Sequence, residues 1–305
     1  MYERHFGFSR PLFTDGMAQD ESVFRTAAAG QISRDLEVAL TRKDAVAVIS
    51  GASGTGKSTL AGDALKGIST RLAFSCISHP PLTAHELLEQ LLTDFGFEPY
   101  KMSRVERLQS WRQFLSEMAA TDTRVCLLVE NAESVEHEVL NALHSLTAAD
   151  AALSPGANVV LTTTVPPESL LITPDTLAFN QRVRLRRQIE PLSEADVSDY
   201  LGFKCKLAGV EPGRIFGRDV DAILYEYSGG VIRVIDNLLE TALIRAASNG
   251  EALVTAAQVA EVAEHQFGMT SLAPAEIDEL LEESVPAEAP VFDLADIPTL
   301  TEYVA

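Results

Sequence analysis

The sequence predicts an α/β protein with a parallel sheet, followed by a separate all-helical unit. Three observations carry this reading. Apolar strand-like runs alternate with helical patterns through about residue 190, the signature of strands joined by crossover helices. The run from Arg124 to Glu130 (RVCLLVE) is almost unbroken in its apolar character, as suits a central strand covered on both faces. After Pro191 only helical periodicity remains.

Taken in order, residues 1–32 form an N-terminal segment with two aromatic clusters, Phe6-Gly7-Phe8 and Pro11-Leu12-Phe13, and a helical pattern runs on to about Leu40. Residues 33–190 make the α/β core, with strands expected at 45–50, 71–77, 124–130, 157–164 and 182–187. Helices are expected at 57–67, 83–95, 104–120, 135–149 and 168–178. Residues 191–266 make the helical unit, with helices near 193–208, 218–227, 231–248 and 255–265. Ser193, with Glu194 and Asp196 behind it, reads as a capped helix start. Val231, Ile235, Leu238, Leu239 and Leu243 share one face of a helix that opens after Gly229-Gly230. Residues 267–305 read as an acidic, disordered tail.

The formal charge is −20, and the tail holds nine of the acidic residues with no Lys or Arg, leaving about −11 on the rest. Such a balance repels phosphate backbones at long range and argues against general nucleic-acid binding. No apolar run reaches the ~18–20 residues that span a bilayer, and the N-terminus lacks the apolar core of a signal peptide. The expectation is a cytoplasmic protein whose contact with a membrane is indirect, through recruitment to the inner membrane by a partner. Cys76, Cys126 and Cys205 are far apart and are expected to be reduced, with Cys76 and Cys126 in the core.

The most specific motif runs from Gly51 to Thr59: Gly51, Ala52, Ser53, Gly54, Thr55, Gly56, Lys57, Ser58, Thr59. It matches G-x-x-x-x-G-K-[ST] between a β-branched strand and a helix. In such a loop backbone N–H groups point inward at phosphate oxygens and the helix N-terminus faces the same anion. Lys57 is expected on the β and γ phosphates of ATP and Ser58 on Mg²⁺.

Three further stretches resemble the ExeA-like (general secretion pathway protein A) AAA+ ATPase family over residues 1 to about 266. They are Tyr2 with Phe6-Gly7-Phe8 and Pro11-Leu12-Phe13; Phe179 to Leu185 followed by Glu190-Pro191-Leu192-Ser193-Glu194; and Ser228 to Ile235. The resemblance implies a P-loop NTPase (AAA+) core with a helical lid, close to the origin-recognition branch, and a setting in secretion or envelope assembly. It implies that Arg182 is an arginine finger acting on a neighbouring subunit's γ-phosphate, against the plainer reading of a solvated basic edge shared by Arg182, Arg184 and Arg186. It implies that Arg233 is the lid's sensor arginine and that Thr163 or Thr164 occupies the first-sensor region.

The chain departs from the family in its second nucleotide motif. Leu127-Leu128-Val129-Glu130-Asn131-Ala132-Glu133 carries Glu130 where an Asp is usual, leaving a carboxylate for the metal. Asn131 stands where the catalytic glutamate belongs and cannot be a general base. Glu133 is the carboxylate that could substitute, but it lies two residues further on and is expected to point elsewhere. Hydrolysis is therefore expected to be slow or absent. Thr14-Asp15-Gly16-Met17 replaces a Pro-rich stretch, so the adenine contacts are not readable.

The reading favoured is an ATP-dependent switch that assembles with itself and with a secretion or envelope component, the latter docking on the acidic tail; the alternative for the tail is that it folds back on the core and inhibits assembly. Two rivals remain: a DNA-associated AAA+ regulator, and a catalytically dead scaffold whose nucleotide is structural.

Overall fold

The computed structural model describes residues 2–13, 23–68, 71–79, 83–150, 154–171 and 176–272. Residues 14–22 and the tail beyond 272, with the docking role expected of it, lie outside the described residues. Five parallel strands, β1 (Val46–Ser50), β2 (Leu72–Ile77), β3 (Arg124–Val129), β4 (Asn158–Thr163) and β5 (Val183–Gln188), form one sheet in the order β2-β3-β4-β1-β5. β1 and β4 are buried from end to end. Their side chains alternate between two apolar layers: Val46, Val48, Val159 and Leu161 enter one, and Ala47, Ile49 and Val160 the other. This is the pattern of a sheet covered on both faces, which is why these strands read as continuous apolar runs.

Helices fill the crossovers. α2 (Ala27–Ala39) and α3 (Lys57–Gly67) cover one face, through Ile32, Leu36, Leu60 and Leu65. α4 (Ala84–Asp94), α5 (Arg104–Ala120) and α6 (His137–Thr147) cover the other. Thr83 with Glu86, and Ser103 with Glu106, close reciprocal capping boxes that fix where α4 and α5 begin. Trp111 is core, as expected, and its indole N–H donates to Leu146 O at 2.8 Å. The single helix expected over 168–178 is instead two short ones, α7 (Pro167–Leu171) and α8 (Leu177–Asn180). Pro174 falls between them and has no amide hydrogen to continue a helix.

The helical unit contains α9 (Glu194–Ala208), α10 (Val220–Ser228), α11 (Ile232–Asn249) and α12 (Ala256–Glu261), with one π-helical turn at Val262–Gln266. Ser193 and Asp196 form the predicted cap of α9. The first residues of the chain belong to this unit. Tyr2, in the short helix α1 (Tyr2–Phe6), and Phe8 and Leu12 after it are buried in the same cluster as Val197, Leu224 and Leu239. Residues after the π turn also lie on it, with Met269 N donating to Ala263 O and Leu272 N to Glu226 O.

The segment that leads from the core into the helical unit is tied down at Leu192, whose N donates to Gly230 O at 2.9 Å. Gly230 has φ +78°, and a Cβ there would stand 1.9 Å from Leu192 O. Gly230→Ala is therefore expected to cost about 1–3 kcal/mol and to loosen the junction. Chemical denaturation should read this as a fall in midpoint; an unshifted midpoint would mean the junction yields freely.

Candidate functional site

At the C-terminal end of β1 the chain turns through Gly51 to Gly56 and enters α3. Gly54 and Gly56 have φ of +85° and +89°, conformations that glycine alone adopts without strain. Lys57 is only 7% exposed, and its Nζ donates to Gly51 O and Ala52 O, both at 2.8 Å. Burial pushes the ammonium pKa down; the charge of Glu133 pushes it up and that of Arg233 down. Three charged groups from different parts of the chain therefore act on one another at this loop. Ser58 Oγ, in the first turn of α3, lies 3.5 Å from Thr162 Oγ1 on β4.

The second motif follows β3. Glu130 N donates to Ile77 O at 3.0 Å, and Cys76 Sγ donates to Glu130 Oε1 at 3.5 Å. Asn131 is exposed and left-handed, with φ 53° and ψ 50°, a conformation that Asn tolerates better than other side chains with a Cβ. A 3-10 turn, Ala132–Ser134, follows and is closed by Ser134 N donating to Asn131 O at 2.8 Å. This reversal corrects the expectation for Glu133. Its carboxylate turns toward the end of β4, where Thr164 Oγ1 donates to Oε1 at 2.7 Å. Oε2 is shielded from solvent and has no hydrogen-bond partner among the described residues. Burial alone would raise this carboxyl's pKa, but the Thr164 hydroxyl, the backbone at 133, Thr163 and the backbone at 164 together hold it below the usual value.

Arg233 enters from the helical unit. Its N–H donates to Gly54 O at 3.1 Å while its side chain is exposed. A Cβ on Gly54 would stand 2.8 Å from Arg233 Cβ, so the first turn of α11 rests directly on the loop. Between them, Gly54 and Arg233 bring the second expected arginine to the site.

The other expected arginine is elsewhere. Arg182 is 8% exposed. Its Nε donates to Asp44 O at 2.8 Å, Nη1 to Thr147 Oγ1 at 3.0 Å, and Nη2 to Thr147 O and Ala157 O at 3.2 Å each. Asp44 adds an ion pair at 3.6 Å, and the guanidinium lies over the Phe179 ring. Arg182 O accepts from Val46 N, which puts Arg182 at the start of β1, opposite the loop by roughly 13–16 Å of strand. A guanidinium satisfied in this way within its own subunit is not presented to a neighbour, so the finger assignment for Arg182 is corrected to a structural role. The shared basic face is also corrected. A bulge in β5 pairs Val46 with Val183 and Ala47 with Leu185, and Arg184 and Arg186 are exposed while Arg182 is buried.

A cavity of about 510 Å³ opens beside the loop, walled by Thr59 and Asp63 of α3, Phe203 and Lys204 of α9, Ile232 and Asp236 of α11, and Leu12 and Phe24 of the N-terminal segment. Tyr200 OH donates to Asp236 Oδ1 at 2.7 Å, and Lys204 Nζ stands 3.6 Å from Asp236 Oδ2. Burial raises the Asp236 carboxyl's pKa, against the lowering effects of Lys204 and Tyr200. The motifs gave no signal for this wall as a whole, because it draws on four stretches of the chain.

Comparison with known proteins matches the AAA domain family over residues 41–168. General secretion pathway protein A of Aeromonas hydrophila is 28% identical over 252 residues, 82% of this chain and 46% of that protein. The chain is similar to ExeA-like AAA+ ATPases over these residues. It spans just under half the length of that curated relative. Among solved structures, the Aeropyrum pernix ORC2 protein, described in ADPNP–ADP complexes, superposes with a TM-score of 0.63 at 15% identity, covering 88% of this chain and 73% of that one. The Aeropyrum pernix ORC1 protein, in complex with DNA, gives 0.62 at 16% identity over 84% of this chain and 68% of that one. These likenesses show the fold, a parallel α/β core with a helical C-terminal unit, as in those two origin-recognition proteins. Among the described residues no helix is long and apolar enough to cross a membrane, and no cluster of His, Cys, Asp and Glu could hold a metal by itself.

Proposed function

We propose that this protein is an ATP-binding AAA+ switch of slow turnover that assembles with further copies and acts on a secretion or envelope component. The observation that carries the nucleotide reading is the buried Lys57 ammonium, held by the carbonyls of Gly51 and Ala52 at the N-terminus of α3 with the first turn of α11 against the same loop. Phosphates suit the loop amides of Gly51 to Thr59 and Lys57. The base and ribose suit the adjoining cavity, whose walls set apolar side chains such as Leu12, Phe24 and Ile232 beside the polar groups of Thr59, Asp63, Lys204 and Asp236.

Mg²⁺ fits the oxygen donors present. Ser58 Oγ has only a long contact with Thr162, and the Glu130 carboxylate has only a weak thiol donor on it. Neither is committed elsewhere among the described residues, and Mg²⁺ takes few protein ligands beside phosphate and water. Ser58 and Glu130 would hold it, and it would neutralise charge on the phosphates. Arg233, exposed beside the loop, reports the nucleotide through lid position. Asn131 cannot take a proton, so wild-type turnover is expected below ~1 s⁻¹.

Calorimetric titration tests the reading: ATP with Mg²⁺ should bind one per chain, and a flat titration would overturn it. Arg233→Ala should weaken ATP about five- to tenfold, roughly 1–1.4 kcal/mol, and ADP less; equal losses would remove the sensor role. Light scattering with and without ATP tests assembly, and a monomer at every concentration would remove it. Partner docking and inner-membrane recruitment rest on the likeness to the secretion protein. The origin-recognition fold keeps a DNA-associated regulator as second reading, opposed by the charge of −20; retardation of duplex DNA on a gel would favour it.

A further inference from the structure

We infer that Glu133, and not residue 131, is the carboxylate that takes the proton of the attacking water at this site. The inference rests on the ATP-binding reading above and names the group that makes the site a catalyst. The usual position is occupied by Asn131, whose amide has no accessible protonation. Asn131 does something else: its left-handed backbone turns the chain back, so that Ala132 is fully buried and Glu133 returns to the C-terminal end of the central strand β4.

Oε1 takes the hydrogen bond from Thr164, while Oε2 is screened from solvent and carries no hydrogen bond among the described residues. A buried carboxylate oxygen with no donor is costly and calls for a reason. Its surroundings supply one. Thr164, which holds Glu133, follows Thr163, and Thr163 pairs with Ser50 where β1 enters the phosphate loop. The Glu133 charge also bears on the Lys57 ammonium of that loop. Oxygen Oε2 is therefore an acceptor without a donor at the end of the sheet that carries the loop. Thr163 Oγ1 donates to Val165 O besides bearing on Glu133, and Glu130 faces Cys76.

In the step this assigns, the water oxygen bonds to the γ-phosphorus as its proton moves to Glu133. The bond from that phosphorus to the β,γ-bridging oxygen breaks, ADP leaves with the bond's electron pair, and the proton passes from Glu133 to solvent as inorganic phosphate departs. The hydrogen-bond donors around Glu133 keep it a weaker base than a carboxylate raised toward neutrality, which limits the rate it can support.

The test uses the full chain and two variants. Glu133→Gln keeps an acceptor for Thr164 but removes the base. It should lower the single-turnover rate at least a hundredfold and weaken ADP–aluminium fluoride, a mimic of the transferring phosphoryl group, more than tenfold. Its ATP affinity should stay within about threefold of wild type, and its melting temperature should be unchanged. Thr164→Val should lower the rate with little effect on ATP affinity. Wild-type-like turnover in Glu133→Gln, or ATP bound by the wild type with no turnover above background, would each overturn the inference. Failure of the nucleotide reading itself is distinct, since it appears as a flat ATP titration of the wild type.

Discussion

Replacing Lys57 with Ala weakens ATP binding at least tenfold and up to about a thousandfold, or ~1.4–4 kcal/mol, as calorimetry will read it. The size follows from the side chain's situation. The ammonium is almost wholly buried, yet it sits on two carbonyl oxygens of the loop it serves. Burial lowers its pKa and Glu133 opposes that shift, so the group is a desolvated cation ready to exchange carbonyl for phosphate oxygen. Such an exchange is stronger than any made by an exposed lysine, because little water has to be stripped from it on binding. Its removal leaves Gly51 and Ala52 carbonyls facing phosphate oxygens with no cation between. Unchanged affinity would sink the assignment of the loop.

Arg182→Ala loses about 3–5 kcal/mol of folding stability, the cost typical of breaking a buried, hydrogen-bonded charge by removing one partner. Asp44 O, Thr147 Oγ1 and O, and Ala157 O all lose a donor at once. Arg182→Lys recovers little, because a single ammonium cannot span positions met by the planar fork. Denaturant titration measures the loss. An unfolding free energy within ~0.5 kcal/mol of wild type, together with lost hydrolysis in mixed assemblies, would return Arg182 to the interface.

These two lysine and arginine cases mark how far the sequence can be read. Strand and helix positions were legible because period and capping chemistry are local: α3 and α5 span 57–67 and 104–120, as their patterns predict. The loop Gly51 to Thr59 was legible because its glycines and lysine act through the backbone of one segment. Arg182 was misread because its partners come from β4, from the end of α6 and from the turn before β1, and because a bulge one residue beyond β5's start breaks the alternation that would group it with Arg184 and Arg186. Register errors of this kind move side chains to the other face. Glu133 was misread because spacing along an extended chain puts it away from the site, and only the left-handed Asn131 brings it back. Asn at that position was a signal of a turn as well as of a missing base, and only the second meaning was drawn from it.

The hydrogen bond from Arg233 N to Gly54 O has a bearing on how signals leave the phosphate loop. A sensor that worked through its guanidinium alone would be silenced by trimming the side chain. Here the loop and the lid also share a main-chain link, which no side-chain substitution at 233 removes. Information about loop geometry therefore has two carriers, one electrostatic and one mechanical, and they are separable. Trimming Arg233 silences the first and leaves the second. A residue with a side chain at 54 does the reverse, forcing α11 off the loop while the guanidinium's charge survives. The pair of substitutions would report how much of any lid response travels by each route.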